Sequence, residues 1–139
     1  MIDAYIVSNL QESLGLSDQE FVKLLPLVRK LQKDRREFAQ HRRKARQDLR
    51  RTLAAGGATE AKVVEQLKAL KAIEVEEPAA IRKDLEAVDA ALTPVQQARF
   101  RVMEVEIEGR IREMLNRVRG ERRLNRKPAP EGPPEDTEP

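Results

Sequence analysis

The amino-acid sequence predicts an all-α protein, an elongated antiparallel helical hairpin of about four helices, and three observations carry that prediction. Aromatic residues make up only 3% of the 139 residues and Trp is absent, too few large side chains to fill a β-sandwich or an α/β enzyme. The apolar residues recur at intervals of three and four, the period of a helix face. Capping sequences mark the helix starts, while Gly and Pro mark the breaks.

Taken in order, Ile6, Val7, Leu10 and Leu14 form one stripe over Asp3 to Leu14, and Gly15 ends that short helix. In Leu16-Ser17-Asp18-Gln19-Glu20 the Ser17 hydroxyl and the Glu20 carboxylate have the spacing of a capping box, each able to satisfy a backbone amide at a helix start. A long helix should run from Ser17 to about Leu53, roughly 50 Å at 1.5 Å per residue. Its seam is Phe21, Leu24, Val28, Leu31, Phe38, Ala45 and Leu49, close to a heptad, with Arg35 and Arg42 on the same seam. Pro26 should bend it. Ala54-Ala55-Gly56-Gly57 breaks it.

Periodicity resumes after Thr59, half a cap, with Val63, Leu67, Leu70 and Ile73, then Ile81, Leu85, Val88 and Leu92. Pro78 predicts either one kinked helix or two short ones, jointed at a solvated bend, Glu76-Glu77-Pro78. The clearest start is Leu92-Thr93-Pro94-Val95-Gln96, with Thr93 at the N-cap, Pro94 at the first helical position and Gln96 at the third. The helix that follows carries Phe100, Met103, Ile107, Ile111, Met114 and Val118, with Val102 and Val105 widening the stripe, and should end between Gly120 and Arg123. Residues 1–123 therefore form one helical domain. Residues 124–139 read as a disordered tail, rich in Pro and acids, that cannot bury enough apolar surface to offset its ordering entropy.

The composition narrows the function. With no Cys and a single His, no thiol or Ser-His-Asp catalytic set can be assembled, and Gly56-Gly57 is no phosphate-cradling loop. The expectation is a non-enzymatic binding protein with no cofactor and no catalytic residue. No apolar run is long enough to span a bilayer, and no basic leader followed by an apolar stretch is seen at Met1 to Leu16. Net charge is +3, but Arg29 to Arg51 carries eleven cations against Asp34, Glu37 and Asp48, a local +8, leaving −5 for the rest. Eight of the eleven are Arg, which stacks and hydrogen-bonds to more varied partners than Lys does. A seam that mixes Phe38, Ala45 and Leu49 with arginines offers apolar contact and positive charge together. It suits a partner of variable shape.

The two starts around Ser17 and Thr93, 76 residues apart, resemble the paired Leu-Thr-x-x-Gln motifs of the periplasmic Spy and CpxP proteins. The segment Leu92-Thr93-Pro94-Val95-Gln96-Gln97-Ala98-Arg99-Phe100 is especially similar to the second motif. The order of elements over residues 2–123 matches as well. The resemblance implies a thin, curved homodimer in the periplasm. Its basic concave face would bind unfolded or partly folded proteins without ATP, or act on an envelope stress sensor. By position in the pattern, it places the client surface at Arg35, Arg36, Phe38, Arg42, Arg43, Arg46 and Arg50.

Metal-sensing relatives use His, Met and carboxylates, but His41 lies among cations, and Met103 and Met114 read as core, so no metal ligand is expected. A helical adaptor is the main alternative, with a metal-stress sensor beside it. Nucleic-acid binding is a lesser one, disfavoured by the scarcity of aromatic stacking residues and by 24 acids.

Overall fold

The structure, a computed structural model, describes residues 2–126. These form four helices and no strand: α1 (Ile2–Leu14), α2 (Asp18–Ala54), α3 (Glu60–Ala90) and α4 (Pro94–Leu124). Of the tail expected at 124–139, residues 127–139 lie outside the described residues, while Leu124 is the last residue of α4.

Each boundary has a local cause. Gly15 adopts φ +66, a left-handed conformation that costs a glycine little. The amide of Gly15 then donates to Glu12 O (3.2 Å) and that of Leu16 to Gln11 O (2.9 Å), the paired bonds of a Schellman ending. At the start of α2, Glu20 N donates to Ser17 Oγ (3.2 Å) and Ser17 N to Glu20 Oε1 (3.4 Å). The α4 start repeats this: Gln96 N donates to Thr93 Oγ1 (3.3 Å) and Thr93 N to Gln96 Oε1 (3.0 Å). Thr59 caps α3 by accepting from Lys62 N (3.3 Å). Gly56 and Gly57, at φ +57 and +102, make the turn between α2 and α3.

Neither proline ends its helix. Both Pro26 and Pro78 lie inside helices. The bond lost at Pro26 would have used the Val22 carbonyl, and Val22 is exposed, so water can take the place of the missing amide. At Pro78 no break occurs. The helix α3 is continuous from Glu60 to Ala90, which removes the two-helix alternative.

The core occupies one end of the molecule. Ile6, Leu10 and Leu14 of α1, with Leu16, pack on Leu24, Val28 and Leu31 of α2, Val88 and Leu92 at the end of α3, and Phe100, Met103 and Ile107 of α4. Each large side chain so buried contributes about 1.5–3 kcal/mol. Bidentate bonds from Arg101 to Asp89 (2.9 and 2.7 Å) join α4 to α3. Gln97 Nε2 donates to the carbonyls of Asp89 and Leu92 (both 3.1 Å), closing the α3 C-terminus.

Two arms leave this core. One is the hairpin made by the second half of α2 and the first half of α3, where Phe38, Ala45, Leu49, Val63, Leu70 and Ile73 are only half-buried. The other is the C-terminal half of α4. Here the expected core extends too far: Met114 and Val118 are exposed, as are Val102 and Val105. The stripe continues along α4 after the helix that covers it has ended, since α1 has 13 residues and α4 has 31.

Candidate functional site

The basic residues of α2 divide into those the fold uses and those it leaves free. Arg35 reaches across to α4, where Nη1 and Nη2 donate to Glu104 Oε1 and Oε2 at 2.9 and 3.2 Å. Arg42 pairs with Glu77 of α3. Both arginine side chains are 32% exposed, so the two seam arginines are structural ties as well as charges. Glu77, read from the sequence as part of a solvated bend, is the half-buried partner of one of them. Arg36 pairs with Asp3 of α1.

Beyond these, Arg43, Arg46 and Arg50 are exposed and have no ion-pair partner among the described residues. Their placement follows from helix geometry. Arg29, Arg36, Arg43 and Arg50 are seven residues apart, so they form one stripe along α2 of about 32 Å. Arg46 and Lys44 widen the cationic face. Phe38 sits half-buried on the opposite, α3-facing side, its ring edge-on to His41 with centroids 6.5 Å apart. A shallow hollow of about 210 Å³ lies beside this region, lined by His41, Lys44, Ala45, Asp48, Gln66 and Ala69. Leu53, Val64, Leu67 and Val75 are exposed on the same hairpin. The arm therefore presents guanidinium groups and apolar surface together, on a two-helix layer that the other described helices leave uncovered.

At the base of the arm, Lys30 Nζ donates to Asp34 Oδ2 (2.9 Å) and to Asp84 Oδ1 (3.0 Å). Asp84 is 4% exposed, and its Oδ2 has no partner among the described residues. Burial, and then the neighbouring Asp34 carboxyl, push the Asp84 pKa above the ordinary carboxylate value. Asp34 is held below it by its hydrogen bonds to Asp84 and then Lys30. This cluster fastens α2 to α3 where the core gives way to the hairpin.

The capping residues are placed as their spacing requires, and they meet each other. Gln96 Nε2 donates to Glu20 Oε2 at 3.3 Å, linking the start of α4 to the start of α2. Hydrogen bonds from Ser17 and then Gln96 lower the Glu20 pKa. Ser17, Glu20, Thr93 and Gln96 thus form one polar junction at the core end.

Among the described residues, no group of three His, Cys, Asp or Glu side chains is placed to hold a metal ion, and no helix is long and apolar enough to cross a membrane. The sequence reading missed a second basic stretch on α4. Arg112, Arg117, Arg119, Arg122 and Arg123, with Arg126 just past the helix end, stand against Glu113 and Glu121, a local charge of +4. The charge of −5 for everything outside Arg29–Arg51 hid it, because acids elsewhere cancel it in the sum. A running local charge along the sequence would have exposed it.

What this geometry defines is a four-helix protein with a small core and projecting basic arms. Comparisons with family models, curated proteins and solved structures found no match to the chain.

Proposed function

We propose that the chain is an ATP-independent chaperone, acting in the periplasm, that holds unfolded or partly folded proteins on the basic face of the α2–α3 hairpin. The observation that carries this reading is the set of exposed Arg43, Arg46 and Arg50, without an ion-pair partner among the described residues, on a hairpin that also exposes Leu53, Val64 and Leu67. An unfolded chain offers scattered acidic and apolar groups with no fixed geometry. Arginines on a rigid helix can meet the acids, while Leu53, Val64 and Leu67 supply apolar contact. Such a surface binds many chains weakly, as a surface without a deep pocket should.

The resemblance to the Spy and CpxP proteins supports the same reading, and with it a thin homodimer whose copies set two such faces side by side. The roles within the proposed surface are unequal. Arg43, Arg46 and Arg50 meet the client; Arg35, Arg36 and Arg42, engaged with Glu104, Asp3 and Glu77, hold the arm in place.

The test is light scattering of a thermally destabilised client at stoichiometric amounts of the protein. The parent chain is expected to delay aggregation. The variant Arg43→Glu/Arg46→Glu/Arg50→Glu should lose most of that effect while keeping its helical circular dichroism. Scattering that the parent leaves unchanged, or that the triple variant still suppresses in full, would overturn the proposal.

A further inference from the structure

The C-terminal arm of α4 differs from the hairpin arm: among the described residues it is a single helix with no helix packed along it. Ile111 still touches the core. Beyond it Met114, Leu115 and Val118 are 57%, 54% and 45% exposed. At 100° per residue Ile111, Met114, Leu115 and Val118 fall within an arc of about 100°, an apolar stripe that the other described residues leave uncovered beyond Ile111.

The arginines are not scattered around the rest of the helix. Within α4, Arg112, Arg119 and Arg123 follow one border of the stripe and Arg117 lies past the other, while Arg126 follows the helix end. Arg122 lies in line with the stripe at its end. Glu113 falls on the far side, and Glu121 near the border that Arg117 lies past. Arg119, Arg122, Arg123 and Arg126 line a shallow hollow of about 320 Å³.

We infer that this arm is a docking site for an anionic lipid surface. An exposed apolar stripe with arginines along one border, Arg122 at its end and Arg117 past the other border suits a helix lying in the plane of a bilayer interface. The stripe enters the acyl boundary while the arginines extend sideways to the headgroup phosphates. Charge decides between occupants. A second copy of the same arm would set two surfaces of like charge against each other, whereas an anionic headgroup layer complements the arginines along the whole length. A polyanion without an apolar layer would leave Met114, Leu115 and Val118 in water. This surface is separate from the α2–α3 hairpin, and the inference does not depend on the chaperone reading.

The test is co-sedimentation of the full chain with vesicles of phosphatidylcholine alone and of phosphatidylcholine mixed with phosphatidylglycerol. Binding is expected to the mixed vesicles only, and to weaken as salt is raised. It should fall roughly tenfold or more in Arg119→Glu/Arg122→Glu/Arg123→Glu, and by a similar factor in Leu115→Ser/Val118→Ser. It should be unaffected in Arg43→Glu/Arg46→Glu, which leaves α4 untouched. Circular dichroism of each variant confirms that the helices persist.

Absence of binding to the mixed vesicles overturns the inference, as does binding that both α4 variants retain. Two other outcomes also overturn it by assigning the arm elsewhere. One is capture of an acidic protein or a nucleic acid without any vesicle binding. The other is vesicle binding that appears only when residues 127–139 are removed, which would make the chain's own acidic segment the occupant.

Discussion

Asp84 is a carboxylate in a place that suits a neutral group. It faces Asp34 across the α2–α3 contact with only the largely exposed Lys30 to balance the pair. Because its folded pKa is raised, it contributes stability below its unfolded value, and that contribution is lost as pH rises through the folded value. Asp34, whose folded pKa is lowered, contributes above its unfolded value and loses that on acidification. Asp84→Asn keeps a hydrogen-bonding side chain and removes the buried charge. At neutral pH the variant is expected to be more stable than the parent by about 1 kcal/mol. The difference should shrink as pH falls through the raised carboxylate pKa, where the parent becomes neutral too. Urea midpoints across the acid range measure this, and a difference that does not change with pH would remove the account. Ser17, Glu20, Thr93 and Gln96 were legible in the sequence because a capping box is a four-residue pattern. Asp84 was not, because its partners lie on another helix.

Helix boundaries depend on nearby residues, and the sequence reading placed them well for that reason: Gly15, Ser17, Thr59 and Thr93 end or begin helices as their chemistry requires. What covers a helix face is set by tertiary contacts, and there the reading went astray. Met103 and Met114 share one stripe with the same periodicity. Only Met103 is buried, because α1 covers that part of α4 and ends before the rest. Likewise the links from Arg35 to Glu104 and from Arg42 to Glu77 join residues 69 and 35 apart, which no local pattern reveals. The uncovered end of α4 must keep its helix largely by intrinsic propensity. Gly120, with nothing within 4 Å of an added Cβ, works against that. Gly120→Ala should therefore strengthen the local helix by about 0.5–1 kcal/mol, read as slower amide exchange around Val118 to Leu124 with little change in the global unfolding midpoint. Unchanged exchange there would contradict it.

Across the molecule stability is concentrated at one end. Phe100 is fully buried between the helices of the core, so Phe100→Ala should cost about 3–5 kcal/mol. Val64→Ala, on the exposed hairpin, should cost less than about 1 kcal/mol. Denaturant unfolding of the two variants tests this, and equal losses would mean that the hairpin is as tightly packed as the core. The hairpin turn has a consequence of its own. A Cβ added at Gly56 or Gly57 would meet nothing within 4 Å, and no large apolar side chain of the hairpin is fully buried. The reach of this limb is thus an adjustable dimension. Duplicating seven residues in each of its two strokes would lengthen it by about 10 Å and preserve the facing pattern, with the foundation undisturbed. Lineages of this chain could have tuned span by such matched insertions while leaving the base unaltered.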